Sequence, residues 1–241
     1  MSQGSEKAER LAAVRLAIAE ACRAAGRREA DVRLMGVSKT KPWEDVRDFA
    51  ALGLRDFGEN YVQEALPKLE ASRGAGIWEA LLRWHFIGSL QSNKAKLVAG
   101  EFSLFHALDS LSLARKLGAA AVAKGREQDC LVEVNVDGEG SKGGVDPAAL
   151  PSLLEELNGI AGIRISGLMC IPASPLPGRS AREPFARLRG LLEATNKAGA
   201  YRLTLNELSM GMSADFAEAI LEGSTYVRVG TALFGARERR A

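Results

Sequence analysis

The fold is decided by a pattern that is clearest in residues 204–235, which read TLNELSMGMSADFAEAILEGSTYVRVGTALFG. Two short runs with strand-like composition, Thr204–Ser209 and Tyr226–Val229, are each followed by glycine and hydroxyl residues. Between them, Ala214–Leu221 has the apolar spacing of a helix. A strand, a helix and a second strand make one βα unit, in which the two strands run parallel.

The same alternation extends back along the chain. The other predicted strands are Val32–Val37, Arg55–Gly58, Trp84–Ile87, Leu104–Ala107, Cys130–Val136 and Ile163–Cys170. The other predicted helices are Trp43–Leu52, Tyr61–Ala71, Ser92–Ala99, Ser110–Lys124, Pro147–Asn158 and Glu183–Lys197. Leu11, Val14 and Ile18 recur on one face of an additional N-terminal helix. Eight units in 241 residues predict one (βα)8 TIM-barrel domain over residues 1–241, with a doubly wound open sheet as the alternative.

Composition excludes several classes of protein. With 46% hydrophobic and 26% charged residues and a net charge of +2, the chain is neither disordered nor built mainly to bind nucleic acid or a membrane. Its three cysteines show no CxxC spacing and no Cys/His cluster, so we expect no disulfide framework, no metal site and a cytoplasmic location. The polar Met1–Arg10 is unlike a secretory signal, and no apolar run reaches the roughly 18 residues of a membrane span.

The loops after strands seven and eight predict a phosphate site. Gly211 and Ser213 follow strand seven, and Gly230 and Thr231 follow strand eight. These two loops often bind phosphate in barrels, because glycine lets backbone N–H groups approach an anion and a hydroxyl adds a donor. Helix capping is the alternative explanation for each motif alone, and their pairing at these positions favours phosphate.

Lys39 and Arg228 extend this site toward a cofactor. Lys39 follows strand one, which a closed barrel places beside strand eight. Apolar neighbours and Arg228 would lower the pKa of Lys39 and favour the neutral amine that forms a Schiff base. Arg228 would remain protonated and keep a pyridine nitrogen unprotonated, which makes the ring a weak electron sink. The set indicates a pyridoxal 5'-phosphate (PLP) site, although an exposed loop lysine and a salt-bridged structural arginine are the alternatives.

Polar residues within the predicted strands need partners or ligands. Glu133 and Asn135 would point into the barrel from strand five. We expect His85 and His106 to be hydrogen-bonded core residues rather than catalysts.

Seven segments carry a resemblance to a known family. They are Val37–Pro42, Phe57–Glu64, Trp84–Lys94, Ser141–Gly144, Gly167–Met169, Leu208–Ser213 and Gly223–Gly235. In this order they resemble the pyridoxal phosphate homeostasis protein family, whose fold is the barrel of alanine racemase without its second domain. The resemblance implies an internal aldimine on Lys39 and a second lysine, Lys142, that affects cofactor transfer. It also implies a cofactor site lined by Asn60, Met169, Ser209, Ser213, Arg228, Gly230 and Thr231.

Three functions are compatible with these residues. The first is storage, buffering or delivery of PLP to PLP-dependent apoenzymes by a monomer without turnover, and we favour it. The second is an amino-acid racemase. By resemblance it would need a tyrosine acid from an extra domain that we expect this chain to lack, and Tyr61, Tyr201 and Tyr226 are not evidently placed for that role. The third is a Schiff-base aldolase acting on a sugar phosphate.

Overall fold

The computed structural model describes residues 3–74, 81–138, 143–173, 180 and 182–236. Its strands are β1 (Arg33–Val37), β2 (Asp56–Glu59), β3 (Arg83–Phe86), β4 (Leu104–Leu108), β5 (Gln128–Glu133), β6 (Ile163–Met169), β7 (Glu207–Met212) and β8 (Tyr226–Val229). Its helices are α1 (Gln3–Ala24), α2 (Trp43–Ala51), α3 (Val62–Gly74), α4 (Ala95–Val98), α5 (Leu111–Ala123), α6 (Leu150–Leu157), α7 (Glu183–Ala198), α8 (Phe216–Leu221) and α9 (Thr231–Phe234). Short 3-10 turns, Glu29–Asp31 and Ser92–Lys94, precede β1 and α4.

The eight strands close into a parallel barrel in sequence order. β1 pairs with β2 on one side and with β8 on the other, so the open-sheet alternative is wrong and the predicted barrel is confirmed. Because all eight strands run parallel, their carboxyl ends lie at one end of the barrel, where the loops of such folds hold their functional residues. We call this end the mouth.

Helix α1 lies across the point of closure. Its buried stripe, which includes Leu11, Val14 and Ile18, packs in the core, and the helix contacts α2, α8 and α9. Lys7 pairs with Asp45 and Asp48 of α2, at 2.6 and 2.8 Å. The predicted N-terminal helix is therefore present, and it joins the first and last units of the barrel.

Side-chain hydrogen bonds to the backbone explain where predicted boundaries were wrong. The side chain of Asn196 donates to the Leu205 carbonyl and accepts from the Leu205 N–H, at 2.8 and 2.9 Å, which holds a turn where β7 was expected to begin. The carboxylate of Asp146 accepts the Ala148 N–H at 2.7 Å, so α6 begins at Leu150 rather than at Pro147. Ser110 caps α5 as expected, accepting the Leu113 N–H.

No helix among the described residues is long and apolar enough to cross a membrane. The same residues contain no group of three or more His, Cys, Asp or Glu side chains that could hold a metal ion.

We expect Gly167→Ala to destabilise the barrel. A Cβ atom at Gly167 would lie 1.9 Å from the carbonyl oxygen of Glu207, so β6 and β7 would have to separate. The free energy of unfolding should fall by roughly 3 kcal/mol, at the upper end of overpacking effects. Chemical denaturation followed by circular dichroism measures it.

Gly190→Ala on α7 is the matched control, because a Cβ atom there would contact nothing within 4 Å. Alanine has the higher helix propensity, so this variant should gain about 0.8 kcal/mol. Equal midpoints for Gly167→Ala and the parent would contradict the tight β6–β7 approach.

Candidate functional site

The predicted cofactor residues meet at the mouth. Lys39 follows β1, Asn60 follows β2, and Met169 ends β6. Ser213 follows β7, and Gly230 and Thr231 lie at the junction of β8 and α9. Arg228 is the third residue of β8 and is buried. Lys142, the predicted transfer lysine, lies outside the described residues.

The loops after β7 and β8 are joined through Ser213. Its hydroxyl accepts the backbone N–H groups of Gly230 and Ala232, at 3.2 and 3.5 Å. Thr231 is exposed beside them. Ser213 does not cap the following helix, because α8 begins at Phe216 with Asp215 at its N-cap position. The joined loops after β7 and β8 thus present two hydroxyl groups and backbone N–H donors that suit a phosphate group.

Gly211 is required where it stands. Its φ of +88° is in the left-handed region, and a Cβ atom would lie 2.6 Å from the Cβ of Ala219 and 2.9 Å from the Cα of Phe216. The glycine therefore lets α8 pack directly against the end of β7, which positions the Ser213 loop.

Lys39 lies in a strained turn after β1. The turn is closed by the Lys41 N–H, which donates to the Ser38 carbonyl at 3.0 Å. Thr40 has a φ of +65°, a conformation that costs a non-glycine residue of the order of 1 kcal/mol. The Thr40 N–H donates to the Glu64 carboxylate at 2.8 Å, which stabilises this conformation. The half-buried Lys39 is thereby held in one backbone geometry.

A buried ion pair that the sequence pattern does not predict supports the same turn. Lys68 Nζ donates to the Ser38 carbonyl and to Glu59 Oε1, each at 2.7 Å, and Ser38 Oγ donates to Glu59 Oε1 at 2.6 Å. The one available signal was the spacing of Glu64 and Lys68, four residues apart and therefore on one face of α3.

Two oxygen atoms at the end of β2 are buried without a hydrogen-bond partner in the part of the chain that the structure describes. Glu59 Oε2 and Asn60 Oδ1 are buried and have no hydrogen-bond partner among the described residues. Burial raises the pKa of Glu59, although Lys68 and Ser38 act in the opposite direction. A buried acceptor without a hydrogen bond lowers the stability of the folded protein. At a binding site, such an acceptor is available to a donor group of the ligand.

Arg228 is held from two sides. Its Nη1 donates to Ser209 Oγ, and its Nη2 donates to the Cys170 carbonyl, both at 2.8 Å. Burial lowers the pKa of the guanidinium, and Cys170, Asp215 and Glu133 act in the opposite direction. Ser209 and Met169 are themselves fully buried, so the hydroxyl of Ser209 supports Arg228 from within the barrel. Their predicted contact with a cofactor stays a prediction.

Glu133 points into the barrel as expected. Burial raises its pKa to about 7, with Asp109 adding to the rise and Arg228 opposing it. Asn135 lies beyond the end of β5 and is partly buried; its N–H donates to the Val145 carbonyl at 2.9 Å.

His85 and His106 are buried, and their nearest ring nitrogens lie 3.0 Å apart, which confirms them as hydrogen-bonded core residues.

Known proteins resemble this chain over most of its length. The family model of the alanine racemase N-terminal domain matches residues 10–238. The pyridoxal phosphate homeostasis protein of Pseudomonas aeruginosa is 46% identical over 231 residues, 96% of each chain. That of Aquifex aeolicus is 44% identical over 230 residues, covering 95% of this chain and 98% of the other.

Solved structures agree with these sequence matches. PipY of Synechococcus elongatus, solved with PLP bound, has a TM-score of 0.82 at 36% identity and covers 95% of this chain and 100% of PipY. The alanine racemase of Clostridium difficile has a TM-score of 0.65 at 16% identity, over 86% of this chain and 53% of the racemase. This second likeness shows a common fold.

The raised pKa of Glu133 predicts a pH-dependent stability. The folded state favours the protonated carboxyl of Glu133. The contribution of this carboxyl to the free energy of unfolding is therefore fully present below the ordinary pKa of 4.5, and it is lost as the pH rises through about 7. The free energy of unfolding should fall by up to about 3 kcal/mol across this window. Glu133→Gln removes that loss, so the variant should be more stable than the parent above pH 7. Denaturant unfolding of cofactor-free protein from pH 4.5 to 8 measures the difference.

Glu193→Gln, which replaces an exposed glutamate of α7, is the control and should keep the parent's pH profile. Parallel profiles for Glu133→Gln and the parent would show that Glu133 ionises normally.

Proposed function

Because the chain belongs to the pyridoxal phosphate homeostasis protein family, we propose that it binds PLP as a Schiff base on Lys39 and stores, buffers or delivers the cofactor. The observation that carries the proposal is the meeting of an amine, a phosphate-binding junction and a buried arginine at one end of the barrel. The similarity to PipY, whose structure was solved with PLP bound, supports the same ligand.

The phosphate of PLP would lie at the junction of the β7 and β8 loops. Ser213, Gly230 and Thr231 supply hydroxyl and backbone donors there. On binding, the Gly230 N–H would donate to a phosphate oxygen instead of to the Ser213 oxygen, and the Ser213 hydroxyl would donate its own proton to the phosphate. A charge-assisted hydrogen bond of this kind is stronger than the neutral one that it replaces.

The amine of Lys39 would bond to the aldehyde carbon of PLP. A Schiff base forms from the neutral amine, with loss of the aldehyde oxygen as water. Lys39 is half-buried in the turn after β1. The turn clamped by Glu64 and Lys68 restricts the directions in which Lys39 can extend. Asn60 Oδ1, a buried acceptor without a partner among the described residues, is available to a hydroxyl of the ligand.

Arg228 would donate a hydrogen bond to the ring nitrogen. When bound, PLP withdraws electrons from an attached amino acid, and it does so most strongly when that nitrogen is protonated. An arginine gives up its proton too reluctantly to protonate the nitrogen. This partner therefore suits a protein that holds the cofactor, and it disfavours transamination and decarboxylation.

Delivery would be to PLP-dependent apoenzymes in the cytoplasm, by a monomer, with Lys142 taking part in transfer. The relatives' name, pyridoxal phosphate homeostasis protein, supports a role in PLP supply. The location and the monomeric state rest on the sequence patterns described above, and the role of Lys142 rests on the resemblance.

Lys39→Ala should abolish covalent PLP binding. The purified parent should be yellow, its absorption band should disappear on borohydride reduction, and the reduced cofactor should be found on Lys39 by peptide mass spectrometry. Lys41→Ala is the matched control, because Lys41 lies in the same turn and its Nζ donates to the Ala236 carbonyl at 3.3 Å. A parent saturated with PLP whose Lys39 stays unmodified would contradict the proposal, and a colourless protein that cleaves a sugar phosphate would favour the aldolase.

We expect no racemisation of alanine or other amino acids beyond that of free PLP. An efficient racemase needs a second acid on the face opposite the lysine. The Tyr201 hydroxyl accepts the Ile165 N–H at 3.1 Å, and Tyr226 lies against Arg33 at the start of β8, away from the mouth. Chiral chromatography of PLP-loaded protein with a panel of amino acids tests this. Turnover at ordinary enzyme rates would overturn it and would make the exposed Tyr61 the first residue to replace.

A further inference from the structure

Five polar side chains form a continuous line of hydrogen bonds through the barrel. Asp56 Oδ1 lies 2.9 Å from His85 Nε2, and His85 Nδ1 lies 3.0 Å from His106 Nε2. His106 Nδ1 lies 2.9 Å from Ser209 Oγ, which lies 2.8 Å from Arg228 Nη1. Each of the five residues is at most 4% exposed. We call this line, Asp56–His85–His106–Ser209–Arg228, the core relay.

The core relay connects the two ends of the barrel. Asp56 is the first residue of β2, and both of its carboxylate oxygens accept from Arg83, at 2.8 and 2.6 Å. The Arg83 side chain is 53% exposed at the end opposite the mouth. Arg83 and His85 line a cavity of about 380 Å³ there. A charge at the far end of the barrel is thus linked to Arg228 by hydrogen bonds alone.

The chemistry of the partners sets the direction of every hydrogen bond. Burial opposes ionisation of Asp56, but the hydrogen bonds from His85 and the neighbouring guanidinium outweigh it and lower the pKa of Asp56. The carboxylate can only accept, so His85 Nε2 carries a proton. Burial lowers the pKa of both imidazoles and keeps them neutral, so His85 Nδ1 accepts from His106 Nε2–H. His106 Nδ1 then accepts the only proton of Ser209, whose oxygen accepts from Arg228.

Other groups face the relay from neighbouring strands. His85 is approached by the cations Arg83 and Arg33, His106 by Arg228, and both imidazole rings by the edge or face of Tyr226, at 5.4 and 5.5 Å between centroids. For His85, burial lowers the pKa, Asp56 raises it, and the two cations act with burial, so the net direction is downward. For His106, burial, His85 and Arg228 all lower the pKa. The neutral state is therefore the one that the surroundings select.

We propose that Asp56, His85 and His106 are positioning residues for Arg228, which they hold, through Ser209, with its remaining N–H donors free for the ring nitrogen of PLP. This inference rests on the proposed function for its ligand, but the hydrogen-bond pattern is a property of the protein alone. A protonated His106 would direct Nδ1–H at Ser209, and the Ser209 proton would lose the acceptor that orients the hydroxyl toward Arg228. The guanidinium therefore keeps its position while both imidazoles are neutral and every hydrogen bond of the core relay is donated in the direction from Arg228 to Asp56.

The tautomers test the relay without any cofactor. The chain has two histidines, so both can be resolved after selective 15N labelling of histidine. Long-range 1H–15N correlation spectra at pH 7 should show two neutral rings, each protonated at Nε2. A ring that is protonated at Nδ1 or is charged at pH 7 would overturn the proposal, whether or not PLP binds.

Asp56→Asn tests whether the far end of the barrel affects the mouth. Its matched control is Asp129→Asn, because Asp129 on β5 also accepts two hydrogen bonds from one arginine, Arg164, both at 2.6 Å, but takes no part in the relay. We expect Asp56→Asn to weaken PLP binding about tenfold, the equivalent of one net hydrogen bond. Asp129→Asn should leave the dissociation constant, measured by absorbance titration, unchanged.

His85→Phe provides a second break in the relay, with Tyr226→Phe as the control that keeps an aromatic ring against both imidazoles. His85→Phe should weaken PLP binding to a similar extent, and Tyr226→Phe should not. Folded Asp56 and His85 variants that bind PLP like their controls would overturn the proposal. A parent that does not bind PLP would overturn the proposed function instead, and the tautomers would still decide the relay.

Discussion

Parallel pairing between β1 and β8 sets Met35 opposite Arg228 and Gly36 opposite Val229. Without this contact the turn that carries Lys39 and the loop that carries Gly230 would lie at opposite edges of an open sheet. Closure instead makes them neighbours at the mouth. Helix α1 stabilises the same junction, because it packs on α2, α8 and α9 and so covers both sides of it. The candidate cofactor site is a direct consequence of barrel closure.

The centre of this barrel contains buried polar and charged side chains, and their hydrogen bonds explain how they can be buried there. Burying ionised and hydrogen-bonding groups is unfavourable unless each finds a partner. The core relay satisfies this condition from Asp56 to Arg228, whereas Glu59 Oε2 and Asn60 Oδ1 do not have partners among the described residues. Glu59 Oε2 and Asn60 Oδ1 lie at the mouth, where a ligand can reach them, whereas the third such oxygen among the described residues, Glu222 Oε2, lies 2.8 Å from Arg189 Nη1.

Prediction from the sequence succeeded where the signal was local. All eight strands were found, because short runs with strand-like composition alternate with amphipathic stretches, and Tyr226–Val229 was found with the right bounds. Boundaries were wrong where a distant side chain decides them, as with Asn196 at the start of β7. The buried ion pair of Glu59 and Lys68 was missed for the same reason, because Lys68 also donates to the Ser38 carbonyl, 30 residues before it in the chain.

The amino-acid sequence alone determined the eight βα units, the place of Lys39 after the first strand and the hydroxyl and glycine loops after the last two. These features depend on local periodicity and on the rule that parallel strands end on one side. Only the tertiary structure decided the partners of Arg228 and of the two histidines. Neighbours along the relay are separated by 29, 21, 103 and 19 residues, and their hydrogen bonds depend on distances across a closed barrel that no local pattern encodes.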